Sequence, residues 1–76
     1  MVELNDIHQE ILRILEEHHS TYARPVRSED IGLALNVSPS YVREKASVLQ
    51  NLGLIRARRG RGGGYYLSPL SEIMHP

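Results

Sequence analysis

Seventy-six residues are enough for one small domain with an economical hydrophobic core. The chain has no cysteine, which excludes disulfides, thiolate metal sites and a thiol nucleophile. It has neither an apolar run of the roughly 20 residues that span a bilayer nor a basic-then-apolar leader. These features predict a cytoplasmic protein with no membrane partner.

The net charge is zero, but the two signs are segregated along the chain. Residues 1–35 carry seven acidic and three basic side chains, whereas residues 36–76 carry six basic and two acidic ones. Such segregation makes one part of the surface attract phosphate and another repel it. The C-terminal half is therefore expected to face a polyanion.

A first helix is predicted from Asn5 or Asp6 to His19, because either polar residue can cap its free amides. Its apolar residues recur at helical spacing: Ile7, Ile11, Leu12, Ile14 and Leu15. The connection that follows ends in Pro25-Val26-Arg27, which can pair as a short strand with a later one.

A second helix of two turns is predicted to start at Ser28 as its N-cap, with Glu29 and Asp30 in the first turn, where negative charge is favoured. Asn36 can adopt the left-handed conformation that ends it. The buried side of this helix would use Ile31 and Leu35.

The third helix has stronger start and stop signals. Ser38 is a natural N-cap, Pro39 fits the first helical position and Gly53 closes the helix. One apolar stripe runs along it: Val42, Ala46, Leu49 and Leu52. With residues from the other elements, the predicted core is Ile7, Ile11, Leu15, Ile31, Leu35, Val42, Ala46, Leu49, Leu52, Ile55 and Leu67.

A hairpin is predicted directly after the third helix. One strand runs from Leu54 to Arg59, residues 60–64 form a glycine-rich tip, and the second strand begins at Tyr65. We therefore predict an α+β winged helix-turn-helix, with three helices and a small antiparallel wing, in residues 1–68. Residues 69–76 are predicted to be a C-terminal tail.

This order of elements predicts binding of double-stranded DNA, because the exposed groups suit a phosphate backbone and base edges. On the third helix the candidate contacts are Ser38, Ser40, Tyr41, Arg43, Glu44 and Ser47. In the wing they are Arg56, Arg58, Arg59 and Arg61, with Arg56 and Arg58 on one side of the strand. A phosphate-cradling nucleotide loop is disfavoured, because such loops open a helix, and these glycines precede a strand.

Enzymatic and metal-dependent functions are not predicted. His18 and His19 are adjacent, so their side chains diverge by about 100° on a helix and cannot easily share an ion. Asp6 and His8 are more plausible as helix-start residues than as a catalytic pair. No cofactor is expected.

The segments Val37–Arg43, Leu49–Ile55 and Arg59–Leu67 together resemble winged-helix transcription regulators, and most closely the repressors that sense iron–sulfur clusters and nitric oxide. The resemblance implies a homodimeric repressor that recognises a palindrome. Its DNA-contacting positions would match Ser38, Ser40, Tyr41, Arg43 and Arg59. The chain departs from that pattern in lacking cysteines and the long dimerisation helix, so a module attached to an effector domain remains an alternative.

The sequence gives less support to two other uses of a winged helix. A protein–protein contact module would show an apolar third helix and an uncharged wing, and the sequence has neither. An RNA-binding module could stack unpaired bases on Tyr65 and Tyr66, although aromatic residues of a wing strand more often pack beneath it.

Overall fold

The computed structural model describes residues 6–69, which form three helices followed by a two-stranded antiparallel sheet. The elements are α1 (Asp6–Glu17), α2 (Ser28–Leu35), α3 (Pro39–Asn51), β1 (Ile55–Arg58) and β2 (Gly64–Leu67). This architecture confirms the predicted α+β class. Residues 1–5 and 70–76, which include most of the predicted tail, lie outside the described residues.

All three helices end at a residue with a left-handed backbone. The φ angles are 50° at His19, 60° at Asn36 and 78° at Gly53. In each case the next amide donates to a carbonyl five residues earlier, at 2.9–3.0 Å, which satisfies a carbonyl that the helix leaves open. The endings predicted at Asn36 and Gly53 are confirmed. Helix α1 stops at Glu17, earlier than predicted, because His19 adopts the closing conformation.

The helix starts agree with the sequence for α3 and disagree for α2. Ser38 caps α3, its side chain accepting from the Tyr41 amide at 3.1 Å, and Pro39 follows at the first helical position. The N-cap of α2 is Arg27, so the prediction that Ser28 caps this helix is wrong. The Ser28 hydroxyl is instead buried and accepts a hydrogen bond from Arg43 of α3.

The core lies between the three helices and the base of the sheet. It comprises Ile11, Ile14, Leu15, Val26, Ile31, Val42, Ala46, Leu49 and Ile55. Of the predicted core, Ile7, Leu35 and Leu67 are only partly buried. The assignment of Leu52 is wrong: it is 44% exposed, because it is the C-cap of α3 and lies beyond the last turn that packs on the core.

The connection between α1 and α2 runs along the edge of the sheet. Val26 and Tyr65 exchange two backbone hydrogen bonds of 2.8 Å, so the predicted pairing of Pro25-Val26-Arg27 is confirmed as a single bridge to β2. A Cβ on Gly64 would lie 2.5 Å from the Val26 carbonyl oxygen. Glycine is required there by this close approach of the backbones.

Candidate nucleic-acid interface

Helix α3 presents a polar exposed face. The exposed side chains include Ser40, Tyr41, Arg43, Glu44 and Ser47, and Ser38 is exposed at the N-cap. The Ser47 hydroxyl donates to the Glu44 carbonyl at 3.0 Å, and the Ser38 oxygen caps the helix. The six positions predicted on this helix thus share its solvent-facing side, where base edges or phosphates could be contacted.

Tyr41 lies at the edge of this face and is paired with a basic side chain. The Lys45 ammonium group is 5.2 Å from the centroid of the Tyr41 ring, which is a cation–π distance. Lys45 was not among the predicted contacts. Its spacing of four residues from Tyr41 on a helix is the signal that could have identified it.

Arg43 connects two helices. Its guanidinium donates to the Ser28 hydroxyl of α2 and to the Ser40 hydroxyl of α3, both at 3.2 Å. Burial raises the pKa of the Tyr65 phenol in β2, and the positive charge of Arg43 opposes that shift. Arg43 therefore links α2 to the exposed face of α3.

The register of the wing separates its arginines. Arg56 pairs with Tyr66 and Arg58 with Gly64, so Arg56 and Arg58 share one side of β1, as predicted. Ala57 pairs with Tyr65 on the other side, which is also the side of the buried Ile55. The two faces of this hairpin are therefore chemically different.

Arg59 and Arg61 follow β1 into the tip, and both are exposed. Two glycines of the tip have positive φ, 95° at Gly60 and 74° at Gly62, which few other residues adopt without strain. The tip is closed by the Gly63 amide, which donates to the Gly60 carbonyl at 3.0 Å. This short turn presents both guanidinium groups where a narrow groove or phosphates could be approached closely.

Arg58 is bonded within the fold. It is half-buried, its Nη1 donates to the Tyr22 carbonyl at 3.0 Å, and its guanidinium carbon is 5.2 Å from the Tyr22 ring centroid. The Tyr22 ring in turn meets Tyr66 edge-on, with centroids 5.9 Å apart and planes at 90°. Sequence reasoning missed Tyr22, and nothing local could have identified it, because 36 residues separate it from Arg58.

The charged side chains are arranged differently in α1 and in residues 36–69. In α1, Arg13 pairs with Glu10 at 2.5 Å and Glu17 at 3.0 Å, and its hydrogen bond lowers the pKa of the Glu10 carboxyl. Residues 36–69, by contrast, carry six basic side chains and a single acidic one, Glu44. The positive charge is concentrated on α3 and the wing.

A helix-turn-helix followed directly by a β-hairpin defines the class as winged helix-turn-helix, and comparison with solved structures agrees. The chain superimposes on ZitR of Lactococcus lactis with a TM-score of 0.71 and 24% identity, covering 92% of this chain and 44% of that one. For CymR, described as the global cysteine regulator of B. subtilis, the TM-score is 0.63 and the identity 26%, and the match covers 88% of this chain and 53% of that one. For T. potens IscR the TM-score is 0.62 and the identity 22%, and the match covers 90% of this chain and 50% of that one.

The chain belongs to the Rrf2 family, described as iron-dependent transcriptional regulators, whose model matches residues 5–74. This confirms the resemblance that α3 and the wing suggested, and the family is one of transcriptional regulators. The chain spans about half the length of the solved structures it matches. A search of curated protein sequences found no significant match.

The iron dependence in the family description does not fit the donor groups of this chain. Iron–sulfur clusters are held mainly by cysteine thiolates, and the chain has no cysteine. Across residues 6–69, no three His, Asp or Glu side chains lie close enough together to hold a metal ion. In the same range, no helix has the length and apolar character needed to cross a membrane.

Proposed function

We propose that this chain is a sequence-specific module for double-stranded DNA, belonging to a transcriptional repressor that acts in the cytoplasm. The observation that carries the proposal is that α3, with its exposed polar face, is followed directly by a wing that carries four arginines. A recognition helix in the major groove with a hairpin beside it needs this arrangement. Membership of a family of transcriptional regulators supports it independently.

The two parts of the surface have different tasks. Helix α3 contacts base edges and flanking phosphates through Ser38, Ser40, Tyr41, Arg43, Glu44 and Ser47. The wing contacts phosphates or the minor groove, where arginine is favoured in narrow segments, through Arg56, Arg59 and Arg61. Affinity then depends mainly on the wing, and the choice of sequence depends mainly on α3.

The module works in pairs or as part of a longer regulator. A single winged helix buries only about 600–1,000 Å² on DNA, which limits its affinity. Two copies, held as a homodimer or through an attached effector domain, would contact half-sites about one helical turn apart. The share of the related structures that this chain spans, about half, is consistent with additional regions for pairing.

Selection from a randomised duplex pool tests the proposal directly. The 76-residue chain should enrich one motif and bind it more tightly than a shuffled duplex or single-stranded RNA of the same length. Arg59→Ala combined with Arg61→Ala should weaken binding to both duplexes. It should also lower the salt slope, which is the slope of log affinity against log salt concentration, by about two. Arg13→Ala, an equal change of charge per residue on α1, is the matched control and should leave binding unchanged.

Two results would overturn the proposal. If no motif were enriched in the pool, binding would not be sequence-specific. RNA binding as tight as duplex binding would favour the RNA-binding alternative. That alternative would require the rings of Tyr65 and Tyr66 to stack on bases, but both are only half exposed and Tyr66 already meets Tyr22 edge-on.

A further inference from the structure

The wing is attached to the connection between α1 and α2 at several points along its length. At its base, the Leu67 amide donates to the buried Ser20 hydroxyl at 3.2 Å. In the middle, Val26 and Tyr65 exchange two backbone bonds. Both contacts hold β2. The other strand, β1, is held near the tip by the side chain of its last residue, Arg58.

Arg58 makes two different interactions with one residue. Its N–H donates to the Tyr22 carbonyl oxygen at 3.0 Å, and its planar guanidinium lies over the Tyr22 ring at 5.2 Å. The edge-on contact between Tyr22 and Tyr66 extends this cluster to β2. We call these three side chains, Arg58, Tyr22 and Tyr66, the wing clamp.

The location of Tyr22 makes the clamp a fixed point for the wing. Tyr22 lies in a tight turn in which Thr21 and Arg24 exchange backbone bonds of 3.3 and 3.0 Å. Each wing strand has only four residues, and an isolated two-stranded hairpin of that size is at best marginally stable. Attachment of the last residue of β1 to a separate turn therefore restricts the angle of the tip.

The clamp also engages the Arg58 guanidinium within the fold. Arg58 shares its side of β1 with Arg56, whereas Ala57 and Tyr65 lie on the side of Ile55, which is buried in the core. A contact between Arg58 and a phosphate would require the loss of its bond and its ring contact with Tyr22. Arg59, the next residue, is exposed and has no such requirement.

We propose that Arg58 is a positioning residue: through Tyr22 it fixes the angle of the wing and so determines where Arg59 and Arg61 meet the DNA, while making no phosphate contact itself. This inference rests on the proposed DNA-binding function. It predicts that loss of Arg58 leaves the salt dependence of DNA binding unchanged, whereas loss of the adjacent Arg59 lowers it.

Tyr22→Leu is the sharpest variant, because it removes the ring from the clamp without changing any charge. Tyr22 is 63% exposed, so the core stays intact. We expect about three- to tenfold weaker binding to duplex DNA, with the slope of log affinity against log salt unchanged. Arg58→Ala should give a similar loss with an unchanged slope, and the double variant should lose little more than either single one.

Arg59→Ala is the matched control. It should lower the salt slope by about one, as expected for the loss of one phosphate contact. If Arg58→Ala lowers the slope by the same amount, Arg58 is a phosphate contact. If Tyr22→Leu binds like the parent chain, the clamp has no positioning role.

A measurement on the free chain separates the clamp from the DNA-binding proposal. The guanidinium protons of Arg58 should resonate upfield in NMR spectra because of the Tyr22 ring current, and Tyr22→Leu should abolish that shift. Amide hydrogen exchange at residues 60–64 should accelerate in Tyr22→Leu and Arg58→Ala but not in Arg59→Ala. Normal shifts and unchanged exchange would overturn the clamp, whereas a chain with an intact clamp that does not bind DNA would overturn only the proposed function.

Discussion

At the residue scale, the position of Arg43 is determined by two hydroxyl groups on different helices. The Ser28 and Ser40 oxygens each accept from its guanidinium at 3.2 Å, so the side chain is ordered before any nucleic acid is bound. Guanidinium has five N–H donors, and these two bonds leave donors for a base. Ordering a long side chain in advance reduces the entropy lost on binding.

Arg43→Ala is expected to weaken binding to the preferred duplex by about 1–3 kcal/mol and binding to a random duplex much less, because a bidentate contact to guanine distinguishes bases. Competition titration of both duplexes at one salt concentration measures the difference. Ser28→Ala is the control, since it removes one support of Arg43 and keeps its charge. Equal losses on both duplexes would make Arg43 a phosphate contact.

At the scale of elements, the ends of the helices show which residues carry backbone strain. Helices α2 and α3 close at Asn36 and Gly53, residue types that tolerate the left-handed region, whereas α1 closes at His19 with a φ of 50°. A histidine in that conformation costs more free energy than a glycine. The geometry of this connection is needed because it leads to the turn that carries Tyr22.

His19→Gly should therefore raise the free energy of unfolding by about 0.5–1 kcal/mol, since the relief of left-handed strain exceeds the entropic cost of glycine. Urea unfolding followed by far-UV circular dichroism measures it. His18→Gly, one residue earlier and without positive φ, should instead lower the stability by a similar amount. If the free energy of unfolding changed in the same direction in both variants, the assignment of strain to His19 would be contradicted.

The start of α3 provides a second prediction at this scale. Ser38→Ala should lower the free energy of unfolding by about 1 kcal/mol, because the Tyr41 amide loses the oxygen that caps it. The same unfolding experiment on Arg27→Ala provides the comparison, since the Arg27 side chain makes no cap bond to α2 and only an exposed ion pair with Asp30. A Ser38→Ala chain as stable as the parent would show that the cap contributes nothing.

At the scale of the whole molecule, positive charge and polar groups are concentrated in residues 36–69, whereas α1 carries paired charges such as Arg13 with Glu10. A molecule of this kind approaches a polyanion with α3 and the wing in front, and like charge keeps α1 away. The apolar residues of the predicted tail, Leu70, Ile73 and Met74, lie outside the described residues.

The isolated chain is expected to be a monomer or weak dimer that gains affinity and cooperativity on a palindrome, because two linked modules multiply their discrimination. Sedimentation at micromolar concentration, with a one-half-site and a two-half-site duplex, distinguishes these states. A one-to-one complex of nanomolar affinity on a single half-site at physiological salt would show that the module needs no second copy.

Much of this molecule was predictable from short-range patterns. The signals at Ser38, Pro39 and Gly53 act within about four residues along the chain, as do the alternation of the wing and the glycines of its tip. Local hydrogen bonds and dihedral preferences are properties of the sequence itself, so these elements and the winged-helix class followed from them.

The rest depended on residues that are distant in sequence, and only the tertiary structure decided it. Ser28 lies within α2 and does not cap it, and its hydroxyl accepts from Arg43, 15 residues later. Arg58 differs from Arg59 because a carbonyl and a ring 36 residues earlier lie against it. The sequence alone determined which residues carry charge and which elements they occupy, but which guanidinium groups are already bonded depends on how separate elements pack. Packing brings together groups that no local preference relates.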